Sequence, residues 1–456
     1  KTLAGLANLV SVKGNFFIKE NENLQELPIF DHLHQIGGAL EIILNPKIQS
    51  LDGFNTLASI GDNKEATPTK GILQIKDNDT LATLKGFNSL ENMDGNLEIF
   101  NNDMLISVLG FGSLKNILGN LDIGDNSSLE DLGGLQLVEL VQGDLMLVNN
   151  PSLRAIDGLA GLVRVGWVMI HDNDKLENLD GFKSLKSTGT KFELHGNDAL
   201  VDLSGLSSLE LLEGNFEIIQ NATLSALYGM NKLQQILGSL VIQQNPKLTN
   251  LDGMTGLEII EGDITITQNE NLTSLSGLSA ISRHGPEPTE ANEQGIARQI
   301  EISENPNLIL LEAFSNLAFI AGDLRLIGNS SLTSLSGLSS IKEIAGTLEI
   351  LKNPTLTNLN GLSTLETIEQ DLSIEDNALL VDFNSFQTLK SVGNNLVLRN
   401  NPLLVSLTGL INLENLGWDL EIVGNESLCQ EDAETFADGL AIWGEKTISG
   451  NEGSCP

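Results

Sequence analysis

The sequence predicts an all-β solenoid: a parallel β-helix of about 24-residue coils over residues 1–425, closed by a cap over 426–456. Three observations predict it. A leucine and asparagine pattern returns every 24 residues, as in GNLEIFNNDMLISVLGFGSLKNIL from Gly95 followed by GNLDIGDNSSLEDLGGLQLVELVQ. One asparagine per unit keeps the phase through seventeen copies from Asn21 to Asn425, with one 23-residue step between Asn150 and Asn173 and two steps stretched by insertions. The only two cysteines, Cys429 and Cys455, bracket the final segment.

Within a unit the order is L-x-I-x-x-N-x-x-L-x-x-L-x-G-L-x-x-L-x-x-I, as in Leu97, Ile99, Asn102, Leu105, Val108, Phe111, Leu114 and Ile117. The L-x-I step has the period of a strand, so Leu97 and Ile99 point inward while Glu98 and Phe100 point outward. Copies stack into a parallel sheet. The later L-x-x-L steps fit neither period 2 nor a full helix, and the central glycine suits short extended segments joined by bends. The repeated asparagine is read as a ladder residue whose amide pairs backbone groups at a corner of the coil.

This unit resembles that of the receptor L-domain group, the leucine-rich-repeat-like right-handed β-helices that form ligand-binding lobes of insulin-receptor and EGF-receptor type ectodomains. Similar units occur in fungal cell-wall and bacterial surface proteins. In ordinary leucine-rich repeats the next leucine follows the asparagine by two residues; here Leu105 follows Asn102 by three. The resemblance implies a right-handed, extracellular or cell-surface β-solenoid that binds or assembles. The chain has no cysteine-rich module and no kinase, so signalling is not implied, and a shared fold does not supply a ligand.

The chain has 25 basic against 61 acidic residues, a formal charge of -36. Such a field opposes nucleic acid and anionic membranes and favours basic partners or divalent cations. No stretch is apolar enough to span a membrane. A disulfide between Cys429 and Cys455 is predicted, stapling a cap in which Phe436, Leu440 and Trp443 share one face of a short helix; this fits an oxidising compartment. A metal pair is the lesser reading, with no third or fourth ligand near. At the other end Leu3 onward reads as the second half of a unit, so removal of a signal peptide, or a further stacked domain, is expected before Lys1.

Insertions near 62–70 and 284–295 enter at the same point of the coil, just before the strand, and their composition is that of exposed loops. They read as tolerated drift or as a pair of contact loops. The outward strand positions carry the functional candidates. Four residues before each ladder asparagine stand Glu41, Glu98, Asp122, Glu193, Glu217, Glu301, Glu349 and Glu421 among others. With coils about 4.8 Å apart, Glu98 with Asp122 and Glu193 with Glu217 are stacked like charges, read as a solvated acidic face or a calcium or magnesium site. Two residues before the asparagine, Ile43, Phe100, Val148, Ile219, Ile327, Leu351 and Val423 form an apolar column, read as a contact face or as residues covered by their flanks. His171 and His195 share that column on adjacent coils, where zinc or copper is the sharp reading and unligated surface histidines the plain one. His32 and His34 carry less information.

No G-x-S-x-G elbow, P-loop, G-x-G-x-x-G or H-E-x-x-H motif occurs, and the acids recur in columns instead of gathering at a cleft, so no enzyme and no cofactor is expected. Of the sequons at Asn78, Asn126, Asn221, Asn271, Asn329 and Asn425, only Asn271 is not a ladder residue and is the credible glycan acceptor. Two functions remain: a recognition or adhesion protein binding a protein or glycan through its sheet face, and a structural subunit of a filament, coat or matrix that stacks on copies of itself. Ice binding through Thr249, Thr273, Thr333 and Thr357 is weaker, lacking a flat regular threonine array.

Overall fold

The computed structural model describes residues 3–61, 71–286 and 298–455. The insertion at 62–70 and all but the first three residues of that at 284–295 lie outside them. The chain divides into two compact units, Lys1–Leu224 and Ser225–Pro456, and each is a leucine-rich-repeat-like solenoid.

A coil begins with a four-residue strand such as Leu97–Phe100, whose alternating burial follows the L-x-I pattern. In the first unit these strands pair in parallel with the equivalent residues of the next coil, Leu97 with Leu121 and Leu145 with Val168. In the second, Leu324 pairs with Leu348 and Leu396 with Leu420 in the same manner. The residue before each asparagine turns the chain sharply with a left-handed backbone, φ 51° at Asn101 and 55° at Asp125, or is glycine, as at Gly196 and Gly424. Short polar side chains and glycine tolerate that region best.

The asparagine is then carried inward and is fully buried from Asn45 onward in the ladder. Asn102 shows the wiring. Its Oδ1 accepts from the backbone N–H and the Nδ2 of Asn78, and its own Nδ2 donates to Ile75 O at 3.0 Å and Phe100 O at 2.9 Å. The amide satisfies backbone groups that a buried corner would otherwise strand.

The second half of the coil differs from short extended segments joined by bends. It holds a single turn of 3₁₀ helix, such as Leu109–Phe111, and then a two-residue strand, such as Asn116–Ile117, that starts a second parallel ladder. The glycine of the turn serves packing between coils, not bending. A Cβ on Gly110 would lie 1.5 Å from the carbonyl oxygen of Leu84 in the preceding coil. The core is the stack of inward Leu, Ile, Val and Phe, including rings of Phe54, Phe87 and Phe111 stacked 5.6 and 5.3 Å apart.

Cys429 and Cys455 form the disulfide. The segment between them departs from the expected lid. Its helix, Gln430–Asp438, ends at Gly439, before Leu440 and Trp443. Ala433, Ala437 and Leu440 are buried, but Trp443 is 86 % exposed, because the helix stops one turn short of placing it on their face. The chain then returns as the strand Lys446–Ser449, paired in parallel with Leu420–Val423. The sheet runs on through the cap.

Candidate functional site

The outer face of the four-residue strands is where the candidate residues lie, and local structure fixes what each can do. Just before many of the strands an Asn, Asp or Ser stands at one position and forms stretches of a second ladder. Asn96 Oδ1 accepts from Asn120 N and Asn120 Oδ1 from Asp144 N, both at 3.0 Å; Asp323 and Asp419 do the same for Thr347 and Glu445 at 2.9 and 2.8 Å. No single residue type fills the column, so its period is hard to see in the sequence.

In the first unit the strand register places Asp122 beside Glu98 and Glu193 beside Glu217. The stacked like charges are real, but Asp122 and Glu193 are 9 % and 5 % exposed, not parts of a solvated rim. Burial, with the charges of Glu98 and Asp144, pushes the Asp122 carboxyl up to about 6. Glu98 is held by Gln74 and Asn96 at 2.7 and 3.0 Å. The imidazole of His195, burial opposing it, and the amide of Asn215 hold the Glu217 carboxyl below its ordinary range. Amide donors hold Glu98, and His195 with Asn215 holds Glu217, whereas Asp122 keeps the repulsion of Glu98 and Asp144.

His171 and His195 stack face to face with ring centroids 4.2 Å apart and planes 12° apart. Each Nε2 faces a carboxylate oxygen of the next coil, His171 to Glu193 at 3.3 Å and His195 to Glu217 at 3.5 Å. Burial, reinforced by His195, lowers His171 to about 4, so it is neutral at pH 7. Among the described residues, no three His, Cys, Asp or Glu side chains form a set able to hold a metal ion. The zinc or copper reading gains no third ligand.

The apolar column is broken. Ile43 and Phe100 are separated by Lys76, and Val148 and Ile219 by the two histidines. In the second unit Ile327 and Leu351 are neighbours, but Glu375 and Arg399 stand between Leu351 and Val423. All seven apolar residues are half-buried. Phe100 leans over Gly124, where a Cβ would come within 2.6 Å of its ring. The acids around them are largely paired: Arg399 bridges Glu375 at 3.2 Å and Glu421 at 2.6 Å, and Arg325 bridges Asp323 and Glu349, each at 3.2 Å.

Sequence reasoning passed over Trp167 and Lys191, which enter this face from the turn before their strands. Lys191 lies 5.7 Å from the Trp167 ring centroid and 3.4 Å from Glu193, and the buried Trp167 Nε1 has no hydrogen-bond partner. With Met146, Met169, Val148 and His171 they share the outer face of adjacent coils. Of the sequons, the ladder asparagines are buried, whereas Asn271 is exposed with its Nδ2 on Pro246 O at 2.7 Å.

No family model matches the chain. No curated protein matches it. Solved structures similar to it include an internalin from Listeria monocytogenes, 16 % identical over 66 % of this chain and 83 % of that one, with a TM-score of 0.37. A leucine-rich-repeat protein of Leptospira interrogans is 16 % identical over 93 % of this chain and 94 % of its own, with a TM-score of 0.32. TLR13 in its complex with ssRNA13 is 17 % identical over 96 % and 84 %, with a TM-score of 0.20. No function is taken from these likenesses, and the receptor L-domain resemblance stands on the repeat motif alone. Among the described residues no helix is long and apolar enough to cross a membrane.

Proposed function

We propose that this is a non-enzymatic recognition protein of an extracellular or cell-surface setting, binding a protein partner through the outer sheet face of its first unit. The observation that carries the reading is the patch of Trp167, Met169, Val148 and Met146 around the His171–His195 stack. Trp is among the side chains that most often anchor protein contacts, and Met adapts readily to a partner's surface. The disulfide supports the oxidising setting.

The test is selection of binders from a displayed protein library and a glycan array, repeated with Trp167→Ala and Met169→Glu. Protein ligands lost on either substitution, with an unchanged thermal midpoint, support the reading. Ligands indifferent to both substitutions, glycans as the sole ligands, or release of sugar from an arrayed glycan would overturn it.

A further inference from the structure

The second unit carries a strip unlike the rest of this acidic surface. Four residues after the ladder asparagine, six successive coils present Thr273, Ile309, Thr333, Thr357, Val381 and Val405, every one exposed and every one β-branched. Backbone bonds hold these positions in register from coil to coil, Thr333 N to Ile309 O at 3.0 Å and Val405 N to Val381 O at 2.9 Å. In a chain of formal charge -36, this column and those two before and one after it, eighteen positions in six coils, contain Asp382 as their one ionisable side chain.

The strip is also more apolar than its composition suggests. Thr273 and Thr333 turn their hydroxyls back onto Thr249 O and Ile309 O at 3.0 and 3.2 Å. Asn271 and Asn307 spend an Nδ2 donor on Pro246 O and Glu270 O at 2.7 and 2.8 Å. With these donors committed to the scaffold, what faces outward is dominated by methyl groups. At one end Leu379 and Leu403, 42 % and 44 % exposed, flank Val381 and Val405 and widen the apolar surface.

We propose that this strip is a self-association face that packs against the same strip of a second copy. Charge argues for that occupant. Two molecules of charge -36 repel through any face rich in carboxylates, and the strip, with Asp382 in it and Glu312 on the Ser274 hydroxyl at 3.4 Å, is where they can approach with few like charges paired. The contact is isologous: one regular column against its twofold mate, with equal spacing on both sides. A glycan would need free donors and acceptors to be read, and the donors named here are already engaged. Six coils at about 4.8 Å and three columns give roughly 300 Å² per copy, well below a stable interface of about 1,200–2,000 Å² in total. The association is therefore weak and sets in at high concentration.

The experiment is sedimentation equilibrium of the full chain from about 10 µM to about 1 mM, at low and at high salt. Dimer is expected to grow with concentration and at least threefold with salt, because salt screens the net repulsion without weakening an apolar contact. Val381→Glu with Val405→Glu should abolish it, while Met169→Glu on the other unit leaves it intact; circular dichroism checks that each variant is folded. A monomer under all conditions, a dimer that salt dissolves, or a dimer indifferent to the double substitution overturns the proposal.

Discussion

Asn425 donates both its backbone N–H and its Nδ2 to the Oδ1 of Asn451, each at 3.2 Å, so the asparagine ladder has a further rung inside the disulfide-closed cap. Asn451 in turn donates to Ile422 O at 2.9 Å and Gln430 Oε1 at 3.2 Å, tying the final strand to the cap helix. The cap is therefore a modified coil, with a helix where a regular coil has its turns. Asn451→Ala removes one acceptor from two buried donors and is expected to cost about 2–3 kcal/mol. Cys455→Ser opens a bridge with a sequence separation of 26, which chain entropy values at about 3 kcal/mol. Amide hydrogen exchange at Asn425 should accelerate in both variants. Unchanged protection at Asn425 in Asn451→Ala would show that the rung is not what holds this end.

Gly110 tests why the repeat needs its central glycine. Its φ is ordinary, so a bend that any residue tolerates predicts a mild Gly110→Ala. Contact between coils predicts a severe one, since the new methyl meets Leu84 O at a distance that only a shift of the coil relieves. An overpacking cost of about 2–3 kcal/mol is expected, read as a lower urea midpoint.

Asp122 is a carboxylate that the fold disfavours. Its folded value of about 6 lies above the ordinary 3.8, so the native state binds the proton more tightly than the unfolded chain does. The sign follows: stability from this group is full below pH 3.8 and is lost as pH rises through 6. Asp122→Asn keeps the shape without the charge and is expected to stabilise by about 1–2 kcal/mol at pH 8 and by little at pH 4. Urea unfolding at the two pH values measures it. Equal effects at both would assign the strain to shape instead of charge.

How much of this was legible depends on whether one residue type marks a position. Asn102 and its equivalents are polar, buried and mostly 24 residues apart, so the ladder and strand register could be read directly. The second ladder could not, because Asn96, Asp263 and Ser239 play one part with three letters. Asn451 was hidden by the helix that stretches its interval to 26 residues. The apolar column looked continuous as a list of Ile43, Phe100, Val148 and Ile219, but a face is made by neighbours on adjacent coils, and there Lys76 and the histidines intervene. Trp443 fitted a helical spacing that the helix, ending at Gly439, never reaches. Asp122 gave no sign of burial, since that depends on the flanking columns.

His284 shows what the repeat costs when one letter is wrong. It occupies the inward position that Ile260 fills in the preceding coil and is 3 % exposed, and its ring nitrogens make no well-formed hydrogen bond, the nearest help being the backbone of Gly262. Among the described residues the ladder of two-residue strands also breaks here: one sheet ends at Arg283–His284 and the next begins at Phe319–Ile320. Burial lowers His284 to about 4, with Asp263 and Arg298 opposing each other nearby. Between 4 and 6.5 the unfolded chain takes up a proton that the native state refuses, so stability falls as pH drops through this window and the loss is complete below about 4. At about 1.4 kcal/mol per unit the loss approaches about 3 kcal/mol. His284→Ile removes the titration and the unsatisfied nitrogens together, so it should stabilise at pH 7.5 and stabilise further at pH 4.5. The comparison is between variant and native protein at each pH, because acid also relieves the net negative charge of both. If their urea midpoints change in parallel from pH 7.5 to 4.5, His284 is not the group that titrates, and its neutral form is satisfied in solution.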